Sequence, residues 1–219
     1  MTSKELKSIL EAHRKYLTNE DGGCCANLMN ADLSYADLRC ADLSYANLSY
    51  ADLSYANLSY ANLRRANLNY TIFSYSNLSC AIFIGADLMN ANLRMTVNMD
   101  KVVWDIYTKF YQMQCPEEGA FIGWKRAHNQ IVKLEICSDA LRSSATSRKC
   151  RCSSAKVLAI ENFDGSRYGD VIRSNYDPLF LYKVGEIVKV ENFDTDRWNE
   201  CAPGIHFFLT REEAVKYCY

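Results

Sequence analysis

Between Ala26 and Met95 one large apolar side chain returns at every fifth position, as Leu28, Leu33, Leu38, Leu43, Leu48, Leu53, Leu58, Leu63, Leu68, Phe73, Leu78, Phe83, Leu88 and Leu93. Two residues before each stands a small side chain, Ala in twelve repeats, with Thr71 and Ser76 the exceptions. The residue between them is Asp or Asn except at Ile72 and Ile82. A period of five fits neither the helix repeat nor the strand repeat, so neither element runs through unbroken and the backbone must turn once per repeat. Four repeats make one square coil of about twenty residues, with the Leu or Phe column inside and a small residue beside each member of it.

The same stacking makes the outward positions predictable. The last residue of the repeat is Tyr seven times. Tyr35, Tyr55 and Tyr75 then share one face as a ladder, and Tyr50 and Tyr70 align on the next. Such ladders stabilise a sheet surface through neighbouring-strand contacts. They also make a rigid aromatic platform for a partner, because Tyr offers contact area at low entropic cost. Ile72 and Ile82 project from the wall where the pattern wants Asp or Asn. Exposed Ile is a poor surface choice, so a C-terminal domain or a second subunit is expected over at least one of them.

A solenoid exposes its core at both ends and needs caps. Over residues 1–21, Thr2 and Glu5 have capping-box spacing, Leu6, Ile9, Leu10, His13 and Leu17 fall on one helical face, and Gly22-Gly23 breaks the chain. His13 reads as a packed residue. After the solenoid of residues 22–99, Asp100 is placed to start a helix over 100–118 that carries Val103, Ile106, Tyr107, Phe110 and Met113 on one face and ends at Pro116.

Residues 119–219 change to short β-rich runs between polar turns. Phe121–Trp124 and Ile131–Ile136 flank a His128-Asn129-Gln130 turn and read as a hairpin. Val157–Asp164 is echoed by Ile187–Asp194, as if two equivalent strands had equivalent exits. His206–Leu209 is another strand, and Thr210 and Glu213 have capping-box spacing for a last helix. The expectation is an α+β domain.

Composition adds limits. Apolar residues make up 49% of 219 residues, with only 3 Pro and 9 Gly, which is the balance of a folded protein. Lys and Arg number 25 against 26 Asp and Glu, so charge matters only locally. No signal-peptide pattern or membrane-length apolar run is present, and a cytosolic address with reduced thiols is expected for the 10 Cys. Cys150-x-Cys152 lacks the spacer of a zinc knuckle, so no metal site or cofactor is expected. Cys201 and His206 suggest a nucleophilic pair only on paper, the plainer reading being a buried Cys and a strand His. No catalytic residues are assigned.

The strongest local chemistry lies in Arg142 to Lys156, which holds five basic residues and no acidic one. Arg142, Ser143, Ser144, Thr146, Arg148, Lys149 and Arg151 combine short hydroxyls with cations, as phosphate oxygens require. The plainer reading is a basic loop pairing with acidic residues elsewhere. No Walker or dinucleotide glycine pattern accompanies it.

The repeat Ala-Asp/Asn-Leu-x-x resembles that of the pentapeptide repeat proteins. The resemblance implies a mainly β chain with a right-handed quadrilateral β-helix. Phe121–Lys125, Arg142–Arg151 and Glu200–Phe208 resemble an uncharacterised domain fused behind such repeats, often in phage and prophage proteins. Some members of the repeat family mimic DNA toward type II topoisomerases by means of a long acidic solenoid. Here residues 22–99 set Asp32, Asp37, Asp42, Asp52 and Asp87 against Arg39, Arg64, Arg65 and Arg94, a net charge of −1, which argues against mimicry. The leading expectation is a non-enzymatic interaction module with a protein partner or a second copy of itself, and no membrane. The rival is a nucleotide or nucleic-acid binder acting through the basic segment.

Overall fold

The computed structural model describes residues 1–217. The chain forms two compact units, residues 1–112 and 113–219. Among the described residues no helix is long and apolar enough to cross a membrane.

In the first unit, parallel bridges join residues twenty apart, from Asn27 with Asn47 to Asn77 with Val97, so four repeats make each coil. Every main-chain N–H of a typical repeat has an acceptor, as buried backbone requires. Taking one coil to the next, Leu28 N donates to Asn47 O at 2.7 Å, Asn30 N to Ser49 O at 3.0 Å, and Asn47 N back to Ala26 O at 2.9 Å. Ala31 N closes a turn on Leu28 O at 3.1 Å, and the same turn recurs in each of the fourteen repeats. The fifth residue lies in the left-handed region every time, with φ between 54° (Arg65) and 69° (Gly85). Positive φ at the third residue of a turn belongs to type II.

The N–H that remains explains the Asp or Asn. Its Oδ1 accepts from the main-chain N–H two residues on, as in Asp32 to Ser34 at 3.0 Å and Asn92 to Arg94 at 3.0 Å, in twelve of fourteen repeats. Ile72 and Ile82 withdraw that acceptor from Ser74 and Ile84. The expected interior column holds: its fourteen Leu and Phe side chains are at most 3% exposed. Thr71 keeps its hydroxyl paired with Leu48 O at 2.7 Å, whereas the buried Ser76 hydroxyl has no partner among the described residues.

Helix α1, Ser3–Leu17, carries the full Thr2–Glu5 capping box. Its predicted apolar face is the less exposed one, and buried His13 accepts the Ala26 N–H on Nδ1 at 3.1 Å. Burial lowers the His13 pKa, which keeps the ring neutral as that bond demands.

The helix expected over 100–118 does not form. Apart from a short 3-10 turn at Met99–Lys101, the chain goes on as coil, with Val103 paired to Ile82 and Lys109 to Asp87. The open edge of the last coil decides this. Phe83 N and Leu88 N need acceptors and find Val103 O at 2.7 Å and Lys109 O at 3.2 Å, and a helix would have kept those carbonyls for itself. Phe110 has φ 61°, and Ile106 and Tyr107 are exposed rather than on a buried face.

The second unit is mainly β. Strands β1 (Phe121–Ala127), β2 (Gln130–Ile136), β5 (Ser154–Asn162) and β8 (Ile187–Lys189) form an antiparallel sheet in the order β1-β2-β5-β8. Strands β3 (Arg142–Ser144), β4 (Cys150–Cys152) and β9 (Ile205–Phe207) form a second sheet, and β6 (Val171–Arg173) with β7 (Leu181–Lys183) a third. The predicted hairpin turns at His128-Asn129, with positive φ at His128 as tight hairpins require. Helix α2, Arg211–Lys216, starts on the Thr210–Glu213 capping box and is the unit's one helix among the described residues. Gly123 on β1 lies so close to β9 that a Cβ would come within 2.8 Å of the Phe207 ring.

The two echoed segments lie in strands of one sheet, but β8 pairs antiparallel with Ser154–Lys156, just before the first of them begins. Their exits match chemically. Arg126 lies 5.0 Å over Phe163 and Arg151 lies 5.0 Å over Phe193. Asp164 and Asp194 each accept the N–H two residues on, at 2.8 Å in both cases.

Candidate functional site

The basic segment forms strands β3 and β4 with a loop over residues 145–149 between them, and two of its guanidinium groups turn toward main chain. Arg142 donates to the carbonyls of Pro116 (3.1 Å), Cys137 (2.9 Å) and Gly119, and stacks over Phe121. Arg151 is 2% exposed and donates to Asp194 O (2.7 Å), Asp196 O (2.6 Å), Pro203 O (3.1 Å) and the Ser143 hydroxyl. Ser143, Ser144 and Thr146 are buried, Ser144 Oγ accepting the Gln114 N–H at 2.7 Å. Arg148 pairs with Glu213 at 2.7 Å. Arg142, Arg151 and Ser144 of the suggested phosphate cradle thus hold main chain together, Arg148 is taken by Glu213, and among the described residues Lys149 has no carbonyl or carboxylate partner.

The tyrosine walls form as expected. Tyr35–Tyr55 and Tyr55–Tyr75 stack with centroids 4.9 Å apart and planes within 4°, and Tyr50–Tyr70 stack at 4.7 Å. Tyr35, Tyr55 and Tyr75 are 73%, 49% and 46% exposed. Of the two wall isoleucines, Ile72 is 37% exposed and Ile82 is half-buried.

The second unit also contains a cavity of about 610 Å³ that sequence reasoning missed. Lys125 from β1, Lys149 before β4 and His206 from β9 meet there, facing Tyr176, Phe180 and Tyr182 around the β6–β7 hairpin. Lys125 is 7% exposed. Its Nζ donates one long hydrogen bond to His206 O at 3.4 Å and lies 5.7 Å from the Tyr182 ring centre. Burial, reinforced by the nearby Lys149 charge, brings its pKa down from the ordinary 10.5 to about 8. The His206 pKa falls to about 4 through burial and then through Lys125, so its ring is neutral and Nε2–H donates to Glu200 O at 2.9 Å. Cys201 also lines this cavity, but its sulfur neighbours Lys149 Nζ at 3.9 Å, and no hydrogen bond joins it to His206 among the described residues. Alternation hid Lys125: Gly123, Lys125 and Ala127 share the buried face of β1, whereas the larger Ile122 and Trp124 would have been assigned there.

Cys115, Cys150 and Cys152 lie in the core of this unit, with Cys137 packed against it. Burial raises the Cys152 thiol to about 12. Among the described residues no three His, Cys, Asp or Glu side chains converge as ligands of one ion.

Residues 26–59 and 56–94 match the pentapeptide repeats, in eight copies, and residues 111–214 match a family of unknown function, DUF5758. A solved pentapeptide repeat protein from the cyanobacterium Cyanothece 51142 is 39% identical over 37% of this chain and 55% of its own, with a TM-score of 0.37. One from the Arabidopsis thaliana thylakoid lumen is 29% identical over 30% of this chain and 45% of its own, with a TM-score of 0.29. Another from Nostoc Pcc 7120 is 25% identical over 44% of this chain and 84% of its own, with a TM-score of 0.22. The chain spans about half the length of the first two. No curated protein matches it.

Proposed function

We propose that this pentapeptide repeat protein is a non-enzymatic interaction module whose solenoid, in the right-handed quadrilateral form of the family, offers a rigid tyrosine wall to a protein partner. The observation that carries the reading is the Tyr35–Tyr55–Tyr75 ladder, stacked ring on ring yet about half exposed or more. Each of these residues sits at φ near 60°, a conformation that costs a side chain other than Gly roughly 1–2 kcal/mol. Stacking an aromatic pair returns roughly 0.5–1.5 kcal/mol. Over the ladder, three such residues cost roughly 3–6 kcal/mol and two stacks return roughly 1–3 kcal/mol, so stability alone gives little reason for Tyr where Asn or Gly would suit the turn, and an aromatic contact surface supplies one.

The near-neutral solenoid weighs against a DNA-mimic role, and a supercoiling assay with gyrase should accordingly find no inhibition at stoichiometric protein. The wall is tested with immobilised full chain, wild type against Tyr35→Ser/Tyr55→Ser/Tyr75→Ser, in extract of the native cell. The expected result is a protein retained by the wild type and lost on the variant, while both keep the same far-UV spectrum. Identical retention profiles overturn the reading, and sedimentation shows whether the retained protein is a second copy of the chain.

A further inference from the structure

We propose that the cavity of the C-terminal unit binds a small organic oxyanion with a flat apolar body, its acid group seated between Lys125 and Lys149. The volume of about 610 Å³ lies within the roughly 300–1,000 Å³ typical of small-molecule sites. Its lining combines aromatic side chains with charged ones, Lys125, Arg126, Lys149 and Lys189 against Asp177 and Glu191. Phe180, Tyr176 and Tyr182 from the β6–β7 hairpin and its loop line it together with Lys125, Lys149 and His206.

The unusual member is Lys125. Elsewhere in this unit the inward-facing guanidinium groups are supplied with acceptors: Arg142 and Arg151 on several carbonyls each, and Arg126 on the carbonyls of His128, Val215 and Tyr217. Lys125 is buried as deeply, yet it has a single hydrogen bond of 3.4 Å and no carboxylate within 4 Å among the described residues. An ammonium taken out of water without a counter-charge is costly, and a fold keeps one only where something compensates.

Lys149 adds a second ammonium without an ion-pair partner among the described residues, and neutral His206 adds no competing charge. Asp177 and Glu191 also line the cavity, both exposed and neither in an ion pair with these lysines. Lys189, exposed, lines the cavity as well, and compact ammonium groups without a free guanidinium fork suit a carboxylate or a phosphate monoester, held by charge rather than by planar bidentate geometry. The aromatic wall selects for an apolar body. This site lies in a different unit from the tyrosine ladder, and neither reading depends on the other.

The test uses full-length protein at pH 7 and the fluorescence of 1-anilinonaphthalene-8-sulfonate, an aromatic anion, beside its uncharged relative N-phenyl-1-naphthylamine. The expected result is one saturable site whose Kd for the anion rises at least about tenfold in Lys125→Met, the loss of one good charge contact, while the neutral probe changes little. Lys149→Ala, at a half-exposed position, weakens the anion in the same direction and decides the matter if Lys125→Met fails to fold. Phenyl phosphate and benzoate then compete for the bound probe, and the better competitor identifies the acid group. Equal anion affinity in wild type and a folded variant overturns the proposal, as does a parallel loss of both probes.

Discussion

Replacing Lys125 with Met keeps most of the side-chain volume and removes the ammonium, so it isolates the cost of that buried charge. The pKa falls from 10.5 to about 8, chiefly through burial. Each tenfold change in proton affinity corresponds to about 1.4 kcal/mol, which puts the penalty at roughly 3 kcal/mol. The sign follows from linkage. Between about pH 8 and 10.5 the unfolded chain holds a proton that the folded chain has released, so stability rises with pH across that window. Below pH 8 the penalty is present in full. Lys125→Met is therefore expected to be more stable than wild type by up to roughly 3 kcal/mol at pH 7, with the gap narrowing toward pH 10. Urea titrations of both full-length proteins at pH 7 and near pH 10, followed by tryptophan emission, measure that difference. A variant that is no more stable at pH 7, or a gap that does not change with pH, refutes the reasoning. A folded variant that gains stability while losing the anionic probe would mark Lys125 as a residue kept for binding at the expense of stability.

Two predictions concern the solenoid. Ser76→Ala removes a buried hydroxyl without a partner among the described residues and should raise the urea midpoint by the equivalent of about 1 kcal/mol, whereas Thr71→Ala, which breaks the bond to Leu48 O, should lower it. Ile72→Asn restores the Oδ1 acceptor that Ser74 N lacks and should stabilise the isolated protein by roughly 0.5–1.5 kcal/mol, read from thermal melts. Should Ile72 be retained for a partner, the same variant loses retention of that partner in the capture experiment.

The repeat segment was legible because its rule is local and redundant. Each Leu, Ala and Asp or Asn has one job, and thirteen neighbours repeat the instruction. Both capping boxes and the first hairpin of the C-terminal unit were legible for the same reason, since donor and acceptor lie within a few residues. Residues 100–118 show where local pattern fails. Their spacing satisfied a helical face, but the open edge of a coil twenty residues earlier needed their carbonyls more. The basic segment was legible in part: Arg148 pairs with Glu213 as the plainer reading expects, but sequence shows the charges of Arg142 and Arg151 and not the carbonyls of Pro116 and Asp194 that receive them.

What the sequence determined by itself was the coil of the repeats, because side chains recurring every fifth position meet the same surroundings whatever the remainder of the chain does. The tertiary structure alone decided that Arg151 became a buried brace and Lys125 a nearly unpaired charge at a cavity. Both are cations in short strands, and what separates them is the supply of acceptors, which comes from segments some forty to eighty residues away. Spacing along the chain carries no information about such distant partners.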